Sequence, residues 1–169
     1  VKWSSSIEPA IEETHPYRIT RPLPNTYGIL FYSKYKLLEA DIKFFVEDDV
    51  PAVQAIIELE SGRRVQFYGI HPRPPAPGEN EKSLERDAEL IKVGRLVKAS
   101  SLPCIVAGDL NDVAWSHTTR LFARISGLLD PRIGRGFFNT FHVKLPLLRW
   151  PLDHIFLDYH FKVKSIQRL

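Results

Sequence analysis

The chain has 169 residues and a formal net charge of +3. That length suits one domain with its own core, and the mild positive charge is compatible with an anionic substrate without demanding one. A single cysteine, Cys104, excludes an internal disulfide framework and a multi-thiolate zinc site, and no apolar run nears the ~20 residues that span a bilayer. The chain opens Val1-Lys2-Trp3 and contains no methionine, from which we expect an excised domain of a longer protein.

Thirteen prolines and nine glycines favour short strands and turns over a helical bundle. Tyr27 to Tyr32 is an aromatic and β-branched run and predicts a strand. Asp41 to Glu47 predicts another. Ala52–Glu60 and Arg64–Ile70, joined by Ser61-Gly62, predict a β-hairpin. The hairpin empties into His71-Pro72-Arg73-Pro74-Pro75-Ala76-Pro77-Gly78, where proline density forbids sheet and implies a stiff extended loop. Asn80 is a candidate N-cap for a helix whose face carries Leu84, Ala88, Ile91 and Arg95, widened by Leu90, Val93 and Val97. Pro103–Gly108 is a short continuous apolar run, the mark of a strand covered on both faces. A second helix is expected from Ser116 to Ile125, closed by Gly127. Phe137–Phe141, Leu152–Leu157 and Tyr159–Val163 predict three last strands. The order suits helices outside two stacked sheets.

Polar residues collect where strands end, and strand ends are rigid platforms for chemistry. His71 follows one predicted strand, Asp109 and Asn111 follow another, and Asp153 begins a third. Strand alternation would put Asp109 and Asn111 on one side. The carboxylate can take a hard cation or a proton from water, and the amide can donate to a phosphate oxygen. Gly108 would leave room for substrate at the backbone. An Asp/Asn turn after a buried strand reads equally well from these residues alone.

Ile105-Val106-Ala107-Gly108-Asp109-Leu110-Asn111 resembles the Gly-Asp-Phe-Asn signature of the endonuclease/exonuclease/phosphatase (DNase I-like) superfamily, with Leu110 in place of the aromatic. Companions occur in order. Gly69-Ile70-His71 resembles the strand that delivers the family's phosphate-contacting histidine, and the prolines after it are similar to those of a bacterial subgroup that is often membrane-tethered. Tyr27 to Tyr35 is similar to the family's Gly-x-x-Ile/Leu-x-Ser-Arg-Tyr segment, with Lys34 for arginine. Phe138-Asn139-Thr140-Phe141 sits where members carry a threonine. Pro151-Leu152-Asp153-His154-Ile155-Phe156 resembles the Arg-Ile-Asp-Tyr/His-Ile-Leu strand. The resemblance implies an α+β fold of two stacked, mostly antiparallel β-sheets flanked by helices, a four-layer αββα sandwich. We expect residues 1–169 to form a single such domain, incomplete at both ends. The metal-binding glutamate is expected before Val1, because Trp3 resembles the start of the helix that follows it, and the terminal Ser-Asp-His segment beyond Leu169.

The resemblance further implies a divalent-metal-dependent phosphoester hydrolase acting on a nucleic acid, a lipid head group or a small phosphorylated molecule, with Mg²⁺ (or Mn²⁺) as cofactor. Asp109 would hold the metal or activate water, and Asn111 would hydrogen-bond the scissile phosphate. His71 would stabilise developing charge or assist the leaving group. Asp153 would orient the histidine of the terminal segment. Ser116, with Asp112, would line the phosphate pocket. His154 reads as a structural strand residue. His15, His117, His142 and His160 read as surface or packing residues; Arg18, Arg21 and Arg73 could meet a phosphorylated ligand, with a solvated face as the default. The competing reading is a binding or scaffold module that keeps the fold without catalysis. No obligate protein partner is evident, and the sequence fixes no compartment, although the subgroup resemblance implies a membrane-anchored parent.

Overall fold

Alternation along the central strands decides the architecture. In β6 (Cys104–Asp109), Cys104 and Val106 are buried while Ile105, Ala107 and Asp109 are only half-buried. In β7 (Asp153–Leu157), His154 and Phe156 are buried while Asp153 and Ile155 are exposed. Side chains two apart share a face, so each strand turns one face to a core and gives the other to different work. The computed structural model of this chain describes residues 2–78, 80, 82–141 and 149–168, with side chains from residue 5 onward. His142 lies outside the described residues.

The elements are α1 (Lys2–Ile11), β1 (Tyr17–Arg21), β2 (Ile29–Ser33), β3 (Lys36–Lys43), β4 (Ala52–Glu58), β5 (Arg64–Gly69), α2 (Leu84–Ala99), β6, α3 (His117–Ser126) and β7. They form an α+β fold with two sheets. One is the antiparallel pair β1-β2; the other has the order β3-β4-β5-β6-β7, antiparallel except for the β5–β6 pair. On the helix side, Leu90, Val93 and Val97 of α2 and Phe122 of α3 meet Tyr68, Ile70, Cys104, Val106 and Phe156. Gly94 lets the two helices close, since a Cβ there would sit 3.3 Å from the Phe122 ring. On the other side, Phe31 of β2 stacks on Phe67 of β5 at 4.5 Å, so the small sheet lies on the large one. None of the described helices is long and apolar enough to cross a membrane.

Several expectations hold. The second expected helix, α3, lies within a residue of its predicted span and Gly127 ends it at φ 74, while Ser116 caps it by accepting from the Thr119 amide at 2.9 Å, a role not foreseen. Others shift. The strand expected at Asp41 to Glu47 lies earlier, because pairing of Lys36–Lys43 with β4 fixes it and leaves Glu47 in the loop beyond. Strand β1 was not foreseen. Asn80 does not cap α2, which begins after Ser83; its amide donates to Glu47 instead. The inward face of α2 is Arg86, Glu89, Leu90, Val93 and Val97, and Leu84 is 67% exposed. Phe137–Phe141 forms no strand: positive φ at Gly134, Gly136 and Phe138 breaks the extended backbone, leaving one bridge from Phe141 to Trp150. Tyr159–Val163 forms none either, because the Asp158 carboxylate takes the His160 amide at 3.0 Å and turns the chain off the sheet.

Candidate active site

The β5–β6 ladder sets the first two groups. Gly69 pairs with Ala107, and the Ile70 amide donates to the Ala107 carbonyl at 3.1 Å. Gly108 has φ +146, and a Cβ there would overlap the Ile70 carbonyl oxygen. Glycine therefore lets the two strand ends close up, and His71 leaves β5 beside Asp109. The room at Gly108 that we assigned to substrate is taken by the neighbouring strand.

Asp153 faces Asp109 in direct antiparallel register, where Cβ atoms lie ~4.5–5.5 Å apart. Both carboxylates share the face turned away from the helices. Burial raises the Asp109 pKa. The bond from the Asn111 amide opposes that rise, the Asp153 charge adds to it and His71 opposes it, with a net upward shift. One carboxylate thus senses three of the other expected site residues, Asn111, Asp153 and His71.

Asn111 joins them by a different route from the one expected. The strand ends at Asp109, and Asn111 takes φ 48, a left-handed conformation that asparagine tolerates. Its amide nitrogen donates to Asp109 Oδ1 at 2.8 Å, closing an Asx turn, so a turn rather than strand alternation brings the two together. Its side-chain Nδ2 donates to the Pro72 carbonyl at 2.9 Å, which ties the loop after His71 to the end of β6. A side-chain amide has a second N–H and a carbonyl oxygen, so capacity for a ligand remains.

Ser116 stands apart from this group in its bonding. Its hydroxyl caps α3 and donates to the Asp112 carboxylate, which also accepts from Thr119 at 3.1 Å. A contact to a phosphate oxygen would require its one O–H to leave Asp112. Around the turn, Arg86 donates to the Asn111 carbonyl at 2.7 Å and lies 3.7 Å from Asp112. His154, 2% exposed, stacks on Phe156, donates from Nε2 to the Asp112 carbonyl at 2.8 Å and accepts at Nδ1 from Arg132 at 2.7 Å. Burial first, then the Arg132 charge, lowers its pKa to about 4. It is a neutral structural strut, as its place in the strand implied. Thr140 Oγ1 accepts from the Asp153 amide at 3.3 Å. A cleft of about 250 Å³ opens beside Asp153, walled by Gly108, Phe138, Thr140 and Arg168.

Sequence reasoning gave Glu47 no role, placed Tyr27 only in a strand and left Arg73 on a solvated face by default. The Tyr27 and His71 rings lie 5.4 Å apart, and the Arg73 guanidinium stands 5.0 Å from the centre of the Tyr27 ring. Arg73 is paired with Glu47 at 2.9 Å and with Asp49 rather than solvated. Proline density around it was the available signal, because a loop with few amides must be held by side chains. Among the described residues, no group of three or more His, Cys, Asp or Glu side chains is arranged to hold a metal ion.

Residues 2–169 match the profile of the endonuclease/exonuclease/phosphatase family. This chain belongs to that family. The strand-end constellation is thus set in a family named for enzymes that cleave phosphoesters. No curated protein matches the sequence. Solved structures do. An endonuclease/exonuclease/phosphatase family protein from Bacteroides thetaiotaomicron is similar at 16% identity and a TM-score of 0.71, over 94% of this chain and 66% of that one. The human Nocturnin catalytic domain with bound sulfate anion is similar at 17% identity and TM-score 0.68, over 94% and 66%. A Staphylococcus aureus beta toxin mutant with bound magnesium ions is similar at 17% identity and TM-score 0.65, over 96% and 69%. The chain spans about two thirds of the length of these chains. At such identities the likeness is one of fold, and the fold is DNase I-like.

Proposed function

We propose that this chain carries the core of a divalent-metal-dependent phosphoester hydrolase that works by attack of water. The observation that carries the reading is Asp109: a half-buried carboxylate at a strand end, in register with Asp153 and sensing His71. In this reading Asp109 holds the metal or takes the proton of the attacking water. Asn111 offers its second N–H to a phosphate oxygen. His71 stabilises charge that develops on the phosphate or assists the leaving group. Asp153 orients a catalytic histidine supplied by another part of the protein. Ser116 acts on phosphate only if its O–H leaves Asp112; otherwise it holds Asp112 and the turn behind Asn111.

The residues present fit Mg²⁺ or Mn²⁺ by their chemistry, since a hard cation of this kind takes oxygen donors and only one or two carboxylates. Asp109 would hold it, and it would supply polarisation of a phosphoryl oxygen. Magnesium bound to a beta toxin and sulfate bound to Nocturnin, both similar in fold, support a site for a cation and a tetrahedral anion. The substrate is a phosphate ester of a nucleic acid, a lipid head group or a small molecule.

The test is hydrolysis of one phosphodiester and one phosphomonoester by the full-length protein, with Mg²⁺ and with chelator, beside the Asp109→Ala variant. At least one ester should be cleaved, and both chelator and substitution should abolish turnover. Undiminished turnover by Asp109→Ala would refute the reading. The 169-residue chain alone should turn over either ester poorly.

A further inference from the structure

The loop that begins at His71 contains four prolines and forms no strand. Proline has no N–H, so side chains must hold this loop, and two of them converge on one carboxylate. From the start of the loop, Arg73 donates to Glu47 Oε1 at 2.9 Å. From its end, Asn80 reaches both Glu47 oxygens at 3.4 and 3.5 Å. The Glu47 side chain is 15% exposed and that of Arg73 20%, whereas the second partner of Arg73, Asp49, is 61% exposed. Exposed ion pairs contribute little, so Glu47 is the anchor and Asp49 an accessory. Arg73 in turn lies against the buried Tyr27 ring, and that ring lies against His71.

We propose that Glu47 is a positioning residue: it seats Arg73 against Tyr27 and so fixes where the His71 imidazole stands. The inference rests on the catalytic reading of His71. Glu47 touches no reacting atom. Its effect passes through Arg73 and Tyr27, and it vanishes when His71 is absent.

The experiment is a double-mutant cycle on full-length protein, reading kcat/KM for a phosphoester the enzyme cleaves. His71→Ala should lose about 100-fold or more. Glu47→Ala should lose about 10- to 100-fold by displacing the imidazole. The double variant should lie within about twofold of His71→Ala, because the two losses share one route. Glu47→Gln, which keeps an acceptor for Arg73, should recover most of the rate and serves the same cycle if Glu47→Ala folds poorly. Asp49→Ala should stay within about twofold of wild type. In NMR spectra the His71 ring signals should move in Glu47→Ala as the Tyr27 ring leaves its place. Losses that multiply in the double variant, or a Glu47→Ala rate within about twofold of wild type, would overturn the inference alone. A wild-type rate in His71→Ala would remove the catalytic reading and this inference with it.

Discussion

Acid should weaken this fold through one histidine, and a single substitution should remove that weakness. His154 is buried between two groups that fix its protonation: the Asp112 carbonyl takes its Nε2–H, and the Arg132 guanidinium donates to Nδ1. A proton on Nδ1 would point an N–H at a cation in a desolvated site. The folded pKa is therefore about 4, against 6.5 for a free imidazole. Between those values the unfolded chain takes a proton that the folded chain refuses. The contribution is thus fully present above pH 6.5 and is lost as pH falls through about 4. Each pH unit across that window costs about 1.4 kcal/mol, so the descent removes about 3 kcal/mol. That is a large part of the ~5–15 kcal/mol typical of a domain. The wild-type curve alone will not display it, because Glu89 pulls the other way. Buried with Oε1 unpartnered and beside the charge of Glu47, Glu89 has its pKa raised to about 7. Its contribution is full below 4.5 and lost as pH rises through about 7. The comparison that isolates His154 is wild type against His154→Gln, since glutamine offers one amide donor for Asp112 and one oxygen for Arg132 without a titration in this range. Urea midpoints taken across the window should give two curves that diverge by about 3 kcal/mol, with Glu89 cancelling in the difference. Parallel curves would refute the argument.

Glu89→Gln should stabilise the protein at about pH 8 by on the order of 2–3 kcal/mol and leave it unchanged near pH 4, read from the same titrations. Gly108→Ala should cost more than about 2 kcal/mol through its glycine-only φ, with further loss from the clash against Ile70; both the melting temperature and turnover should fall, and a variant with wild-type values would deny the close approach. Ser116→Ala should cost about 1 kcal/mol as the α3 cap is lost. If Ser116 serves only the cap, active-site-normalised turnover of that variant will equal wild type; a specific drop in turnover assigns it to the phosphate.

What the sequence made legible was whatever is encoded locally. The Ala52 to Gly69 hairpin, the apolar β6 run and the α3 span closed by Gly127 each carry their signal within a few residues, and each stands where the pattern puts it. Errors arose where a distant partner decides. Apolar residues occur on two faces of α2, and its buried face also carries Arg86 and Glu89, so the polar residues that anchor it hid the inward side. Tyr159–Val163 alternates like a strand, but Asp158 spends its carboxylate on a local turn. Arg73 looked solvated because its carboxylates lie 24 and 26 residues away in sequence.

The candidate site shows the same division at finer grain. Asp109 and Asn111 are recognisable as types, yet what brings them to His71 is backbone. A one-residue slip between β5 and β6 would turn Asp109 into the helix-side core and Val106 out of it. The contact at Gly108 opposes such a slip, because only a residue without Cβ can sit against the Ile70 carbonyl. The same contact fixes the point at which His71 leaves the sheet. From there onward the chain loses its ladder, and position passes to side chains: Asn111 on Pro72 from one side, Glu47 and Arg73 with Tyr27 from the other. A glycine at a strand end reads alike whether a substrate or a neighbouring strand comes close, so that role could be assigned only once β5 and β6 were side by side.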